Sequence, residues 1–131
     1  DWYGFVYKIS KKNTGEYYWG CKSFYNITNP KISKKKANEL YTGKGRKKTR
    51  LQKIKESDWK DYLSSSKKVQ EMIEIDGLDA YKFEIISFHK SYTSMMMEET
   101  FLILKDFISG NTKILNEWLS IKIRKPNVKI N

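Results

Sequence analysis

The sequence predicts an α+β fold: a small three-stranded antiparallel sheet flanked by helices, with a basic insertion after the first hairpin. Three observations predict it. Two aromatic-rich segments, Gly4-Phe5-Val6-Tyr7 and Tyr17-Tyr18-Trp19-Gly20, flank the turn-forming Lys11-Lys12-Asn13-Thr14-Gly15, which makes a hairpin. Two later segments with helical spacing follow serines and stop at glycine, the chemistry of helix caps. Between them, Tyr81, Phe83 and Ile85 alternate with Lys82, Glu84 and Ile86, as on a strand. The resulting order is β-β-α-β-α, which suits a small antiparallel sheet with helices packed on it.

Each element has its own reason. Trp2 to Ile9 alternates enough to be a strand, and Glu16 to Lys22 is its hairpin partner. Asn26 to Gly45 reads as loop, with Pro30 and two glycines, around a short helix at Lys34–Leu40. Arg50 to Ile54 reads as another helical turn. Ser57-Asp58-Trp59-Lys60-Asp61-Tyr62 opens a compact segment, and Ser64-Ser65-Ser66 then caps a helix over Lys67–Ile75 with Val69, Met72 and Ile73 on one face. Asp76-Gly77 ends that helix. After the Tyr81–Phe88 strand, Ser91 to Ser94 caps a long helix over about Met95–Ile108, which Gly110-Asn111 ends. Asn116 to Ile123 reads as a last strand or packed extended segment, and a polar tail follows from about Arg124. No internal repeat or linker divides the 131 residues, so one domain over 1–131 is expected.

Composition narrows the function. The net charge is +11, from 26 Lys and Arg against 15 Asp and Glu, which points to a polyanionic partner, usually nucleic acid. The charge is concentrated in the insertion, about residues 26–60: Lys31 to Lys60 holds twelve basic residues and three acidic ones. Within it, Tyr41-Thr42-Gly43-Lys44-Gly45-Arg46 places two glycines where the backbone can approach a phosphate. Lys44, Arg46, Lys47, Lys48 and Arg50 are therefore the residues expected to hold a nucleic-acid backbone, through salt-sensitive contacts with little sequence information. No apolar run is long enough to span a bilayer, and no segment reads as a signal peptide, so no membrane partner is expected. The single cysteine, Cys21, forms no internal disulfide, which fits a reducing, cytoplasmic setting. A chain that starts at Asp1 without methionine also reads as an excised piece.

The paired motifs, with Tyr7 and Tyr18 eleven residues apart, resemble the signature of the GIY-YIG nucleases. The resemblance continues through Ser65-Ser66-Lys67, the helix ending at Ile75-Asp76-Gly77, and the strand that follows. It spans about residues 3 to 119 and is most like the phage-encoded homing endonucleases, with a Tyr-x-Gly-x-Lys-Ser-Phe second strand and an Asp-Trp-Lys-x-Tyr segment. It implies a three-stranded sheet with helices around it and a DNA endonuclease that hydrolyses phosphodiesters with one divalent metal, Mg²⁺ or Mn²⁺. The implied partner is double-stranded DNA, together with a recognition domain or partner protein outside this chain.

The resemblance also implies roles. Tyr7 falls where the family has its general base, a phenol whose pKa a neighbouring cation would lower. Tyr18 would orient water or phosphate. Glu98 falls in the metal-binding slot, while aligning on Phe101-Leu102-Ile103 puts Glu99 there instead. Asn116 falls where the family often has an asparagine. The family's arginine would fall near Thr28, where this chain has none. Lys22, on the Tyr18 face of its strand because strand period is two, could supply the charge locally, or Arg46 and Arg50 could fold back. That departure motivates an alternative: a non-catalytic nucleic-acid-binding module on a degenerate nuclease fold.

Overall fold

The turn at Lys11–Gly15 folds the front of the chain on itself, with Gly15 in the left-handed region (φ +76°) that favours glycine. Strand β1 (Gly4–Lys11) thereby pairs antiparallel with β2 (Tyr17–Ser23). In chain order follow β3 (Tyr25–Thr28), α1 (Lys34–Leu40), β4 (Lys53–Glu56), α2 (Lys67–Asp76), a 3-10 turn at Leu78–Ala80, β5 (Tyr81–His89) and α3 (Tyr92–Ser109). This computed structural model describes residues 1–117 and 119. The segment expected to be extended over 116–123 thus lies largely outside the described residues.

The main sheet has the order β2-β1-β5, antiparallel throughout, so β1 is central. Its two faces follow from the register. Phe5, Tyr7 and Ile9 share a face with Lys22, Gly20 and Tyr18, their partners on β2, and with Phe88, Ile85 and Phe83, their partners on β5. The core forms on this face, where Phe5, Tyr7, Ile9 and Tyr81 meet Val69 and Ile73 of α2. Long helix α3 lies against β2, β1 and β5 and buries Met95 and Ile103. Tyr17 and Trp19, which alternate with Tyr18 on β2, reach it through hydrogen bonds to Asp106. The pairing of β1 with β5 shifts register between Val6 and Tyr7, so Ile86 is an extra residue in the ladder.

The helix caps form as the serines predict. The Ser66 hydroxyl accepts from the Val69 N–H, and Ser91 accepts from the Ser94 N–H. Gly77 and Gly110 close the two helices. The long helix begins at Tyr92, three residues before the expected Met95.

The insertion is where the sequence reading needs correction. The short helix at Lys34–Leu40 is present, capped by Ser33. Residues expected as loop (26–28) and as part of a helical turn (53–54) instead pair within a separate two-stranded antiparallel sheet, β3 with β4. The strands are four residues each and far apart in sequence, so neither carries a periodicity that could announce the pairing.

Candidate active site

The hairpin brings Tyr7 and Tyr18 onto one face with ring centroids 6.5 Å apart. Tyr7 pairs with Gly20 across the strands, and its ring lies over that glycine. A Cβ at position 20 would overlap the Tyr7 phenol, so the glycine of the second motif makes room for the tyrosine of the first. Tyr7 is only 6% exposed. Its hydroxyl makes no hydrogen bond among the described residues, with Ser64 and Tyr62 the polar groups beside it. Burial, then the neighbouring phenols of Tyr62 and Tyr18, push its pKa far up. That is the reverse of the lowering expected for a general base. Lys22, expected to replace the family's arginine, serves other groups: its Nζ lies 2.7 Å from Asp58 and 4.2 Å over the Tyr62 ring.

Tyr18 lies nearer the surface. Its hydroxyl is 3.3 Å from Ser65 Oγ, and burial raises its pKa. It opens into a cleft of about 440 Å³ at the outer edge of β2. Three parts of the chain build the rest of the cleft: Ser65 to Lys68 at the start of α2, Met96, Glu99, Thr100 and Ile103 on α3, and Leu115 to Glu117 with Leu119. Tyr18, Glu99 and Asn116 therefore meet here. Tyr7 lines a different, largely aromatic pocket with Phe5, Trp59 and Tyr62. Glu98, one residue from Glu99 and so about 100° away around the helix, does not line the cleft.

Glu99 is the α3 carboxylate of the cleft. Burial raises its pKa, partly offset by the nearby Cys21 thiol, whose hydrogen bond goes to Met96 Sδ at 3.7 Å. In turn, burial and then Glu99 push the Cys21 thiol up, so this cysteine is a neutral donor. Among the described residues no basic side chain pairs with Glu99. Glu117, at the cleft rim, is held by Lys68 at 2.9 Å.

Asn116 is fully used by the backbone of β2. Its Oδ1 accepts from the Trp19 N–H at 2.9 Å, and its Nδ2 donates to the Trp19 carbonyl at 2.9 Å. The amide thus extends the ladder that the chain just before it makes with Tyr17, through Tyr17 N to Lys113 O and Leu115 N to Tyr17 O. Asp106 holds the same strand from α3: its Oδ2 accepts from the Tyr17 hydroxyl at 2.6 Å and the Trp19 indole N–H at 2.7 Å. Tyr18 sits between these two clamped residues, so its direction is fixed from both sides.

The basic candidates are scattered. Lys22 is paired with Asp58, as above. Arg50 Nη1 donates to the Asn29 carbonyl and Lys47 Nζ to Asn38, while Lys44, Arg46 and Lys48 are exposed in the insertion. None of these lines the cleft; among the described residues the basic side chains that do are Lys67 and Lys68. Lys67 is expected as a helix start and as part of the Ser65-Ser66-Lys67 resemblance, not as a site residue. Its neighbours Ser65 and Ser66 marked a helix N-terminus, and that signal, set beside Tyr18, is what could have found it.

A family model described as "Putative endonuclease segE, GIY-YIG domain" matches residues 1–119, nearly the whole chain. The chain belongs to the GIY-YIG nuclease family. Comparison with curated proteins and with solved structures returns no match. The family's fold is the one seen here, a small antiparallel sheet of three strands with three helices. In this chain the cleft at the β2 edge is where the hairpin tyrosine Tyr18 and the helix carboxylate Glu99 come together.

Proposed function

We propose that this chain is a DNA endonuclease of the phage homing type that hydrolyses phosphodiester bonds in the cleft between Tyr18, Glu99 and the start of α2. The observation that carries this reading is the meeting of Tyr18, Glu99 and Lys67 in one cleft of a GIY-YIG domain. The donor set fits one Mg²⁺ or Mn²⁺. A single half-buried carboxylate without a basic partner can take one position of such an ion, leaving the others to water and phosphate. Among the described residues no group of three metal-ligating side chains exists, consistent with an ion held mainly by water and substrate. Glu99 is the residue that would hold it, with Glu98 the alternative one position away. When bound, the ion supplies Lewis-acid polarisation of the scissile phosphate.

The chain's own residues do the rest. Lys67, with the N-terminal end of α2, offers positive charge to the developing negative charge on phosphate. Lys68 is partly neutralised by Glu117 and contributes less. Tyr18, its hydroxyl beside Ser65, is placed to hydrogen-bond the attacking water or a phosphate oxygen. Its raised pKa suits a donor that orients rather than a phenolate that abstracts. Tyr7 packs behind Tyr18, and Lys22 steadies Tyr62 beside Tyr7. Both thus act through Tyr18 rather than on the phosphate. Asn116 holds β2, so its role is positional.

The test is nicking of supercoiled plasmid. Wild-type protein with Mg²⁺ or Mn²⁺ should convert it to open circles, chelation should stop the reaction, and Tyr18→Phe should slow it about 10²-fold. Failure to nick any duplex with either metal would contradict the reading. Among the described residues no arginine lines the cleft, which favours one other reading, a DNA-binding module without catalysis. That reading predicts salt-dependent duplex binding in every case and no cutting.

A further inference from the structure

The β3–β4 ribbon has two faces of different chemistry. Its register sets Tyr25 opposite Glu56 and Ile27 opposite Ile54 on one face, and Asn26 opposite Lys55 and Thr28 opposite Lys53 on the other. Every residue of both strands is exposed, so neither face is used by the protein's own core. No hydrogen bond or ion pair among the described residues engages the side chains of Asn26, Thr28, Lys53 or Lys55. An isolated two-stranded ribbon is marginal by itself, and burying neither face wastes what stability it could gain. The ribbon also borders the most basic part of the chain, where twelve Lys and Arg face three Asp and Glu between Lys31 and Lys60; β4 lies within that stretch and β3 just before it.

We infer that the Asn26–Thr28–Lys53–Lys55 face reads base edges in the major groove of double-stranded DNA, while Lys44, Arg46 and Lys48 hold the flanking phosphates. This rests on DNA being the substrate. The major groove of B-form DNA admits a two-stranded ribbon, and Asn and Lys are side chains that recognise adenine and guanine edges there. The deep, narrow major groove of A-form RNA does not admit one. The opposite face, with Tyr25, Ile27, Ile54 and Glu56, carries no basic side chain.

The experiment selects bound sequences from a pool of randomised DNA duplexes in EDTA, so that cutting plays no part. Wild-type protein should recover a shared motif. Asn26→Ala and Lys55→Gln, both at exposed positions, should each lose about tenfold discrimination at one or two base pairs while holding bulk duplex affinity within about threefold. Circular dichroism confirms that the variants fold. Recovery of the same motif at the same strength by both variants would overturn the inference, as would a wild type that recovers no motif. Equal competition by an RNA duplex of the same length would overturn it too. A motif lost in the variants without any cleavage on adding Mg²⁺ would sink the nuclease reading and leave the ribbon's role standing. Cleavage with unchanged base preference in both variants would do the reverse.

Discussion

At the scale of single residues, Glu99 carries the sharpest consequences. Burial raises its folded-state pKa above the ordinary carboxylate value, so the group favours folding while protonated. That contribution is present below the unfolded pKa and lost as pH rises through the folded one. Glu99→Gln, which removes the buried charge, should therefore raise Tm at neutral pH and leave it nearly unchanged in acid. An equal gain at both pH values in thermal unfolding would contradict the burial account. Cleavage needs the ionised carboxylate, so protons compete with the metal for Glu99 and the Mg²⁺ concentration for half-maximal cleavage should fall as pH rises. Gly20 gives a second residue-scale test. Gly20→Ala sets a methyl group against the Tyr7 ring and should cost about 1–3 kcal/mol by overpacking, read as a fall in Tm. A neutral effect would mean that Tyr7 does not sit where the structure has it.

At the scale of elements, β2 is the part that must be held. It is an edge strand, yet it carries Tyr18. Asn116 bonds both backbone groups of Trp19, and Asp106 bonds the side chains of Tyr17 and Trp19. Asn116→Ala leaves a part-buried N–H and carbonyl unpaired and should cost about 1–3 kcal/mol. It should also lower cleavage without changing its metal requirement. Loss of activity with unchanged stability would instead argue that Asn116 touches substrate. The elements themselves were legible where local chemistry decides them: the hairpin from its turn, α2 and α3 from serine caps and glycine stops, β5 from its alternation. What was not legible depends on distant contacts. Helical phase alone leaves Glu98 and Glu99 open, and the face α3 turns inward depends on Asp106 reaching Tyr17 and Trp19, nearly ninety residues back. The burial of Tyr7 depends on Tyr62 and Ser64, which only the end of the insertion brings there. Pairing of β3 with β4 closes across α1 and the glycine-containing loop, with no local signal.

At the scale of the whole molecule, charge and chemistry are divided. The basic insertion is exposed and set apart in its own small sheet, while the cleft draws its positive charge from Lys67 and Lys68. Lys44→Gln, Arg46→Gln and Lys48→Gln together should weaken duplex binding for every sequence and lower the slope of log affinity against log salt by roughly 2 to 3. The rate of cutting at saturating DNA should hold. An unchanged salt slope in a binding titration would move the phosphate contacts elsewhere. No helix among the described residues is long and apolar enough to cross a membrane. The whole account turns on which carboxylate faces the cleft, and plasmid nicking with Mg²⁺ by Glu99→Gln beside Glu98→Gln tests it most directly. The expected result is a loss of at least about 10²-fold for Glu99→Gln and near wild-type nicking for Glu98→Gln, as removal of a metal-binding or transition-state charge requires. Full activity in Glu99→Gln, or its loss only in Glu98→Gln, would contradict it.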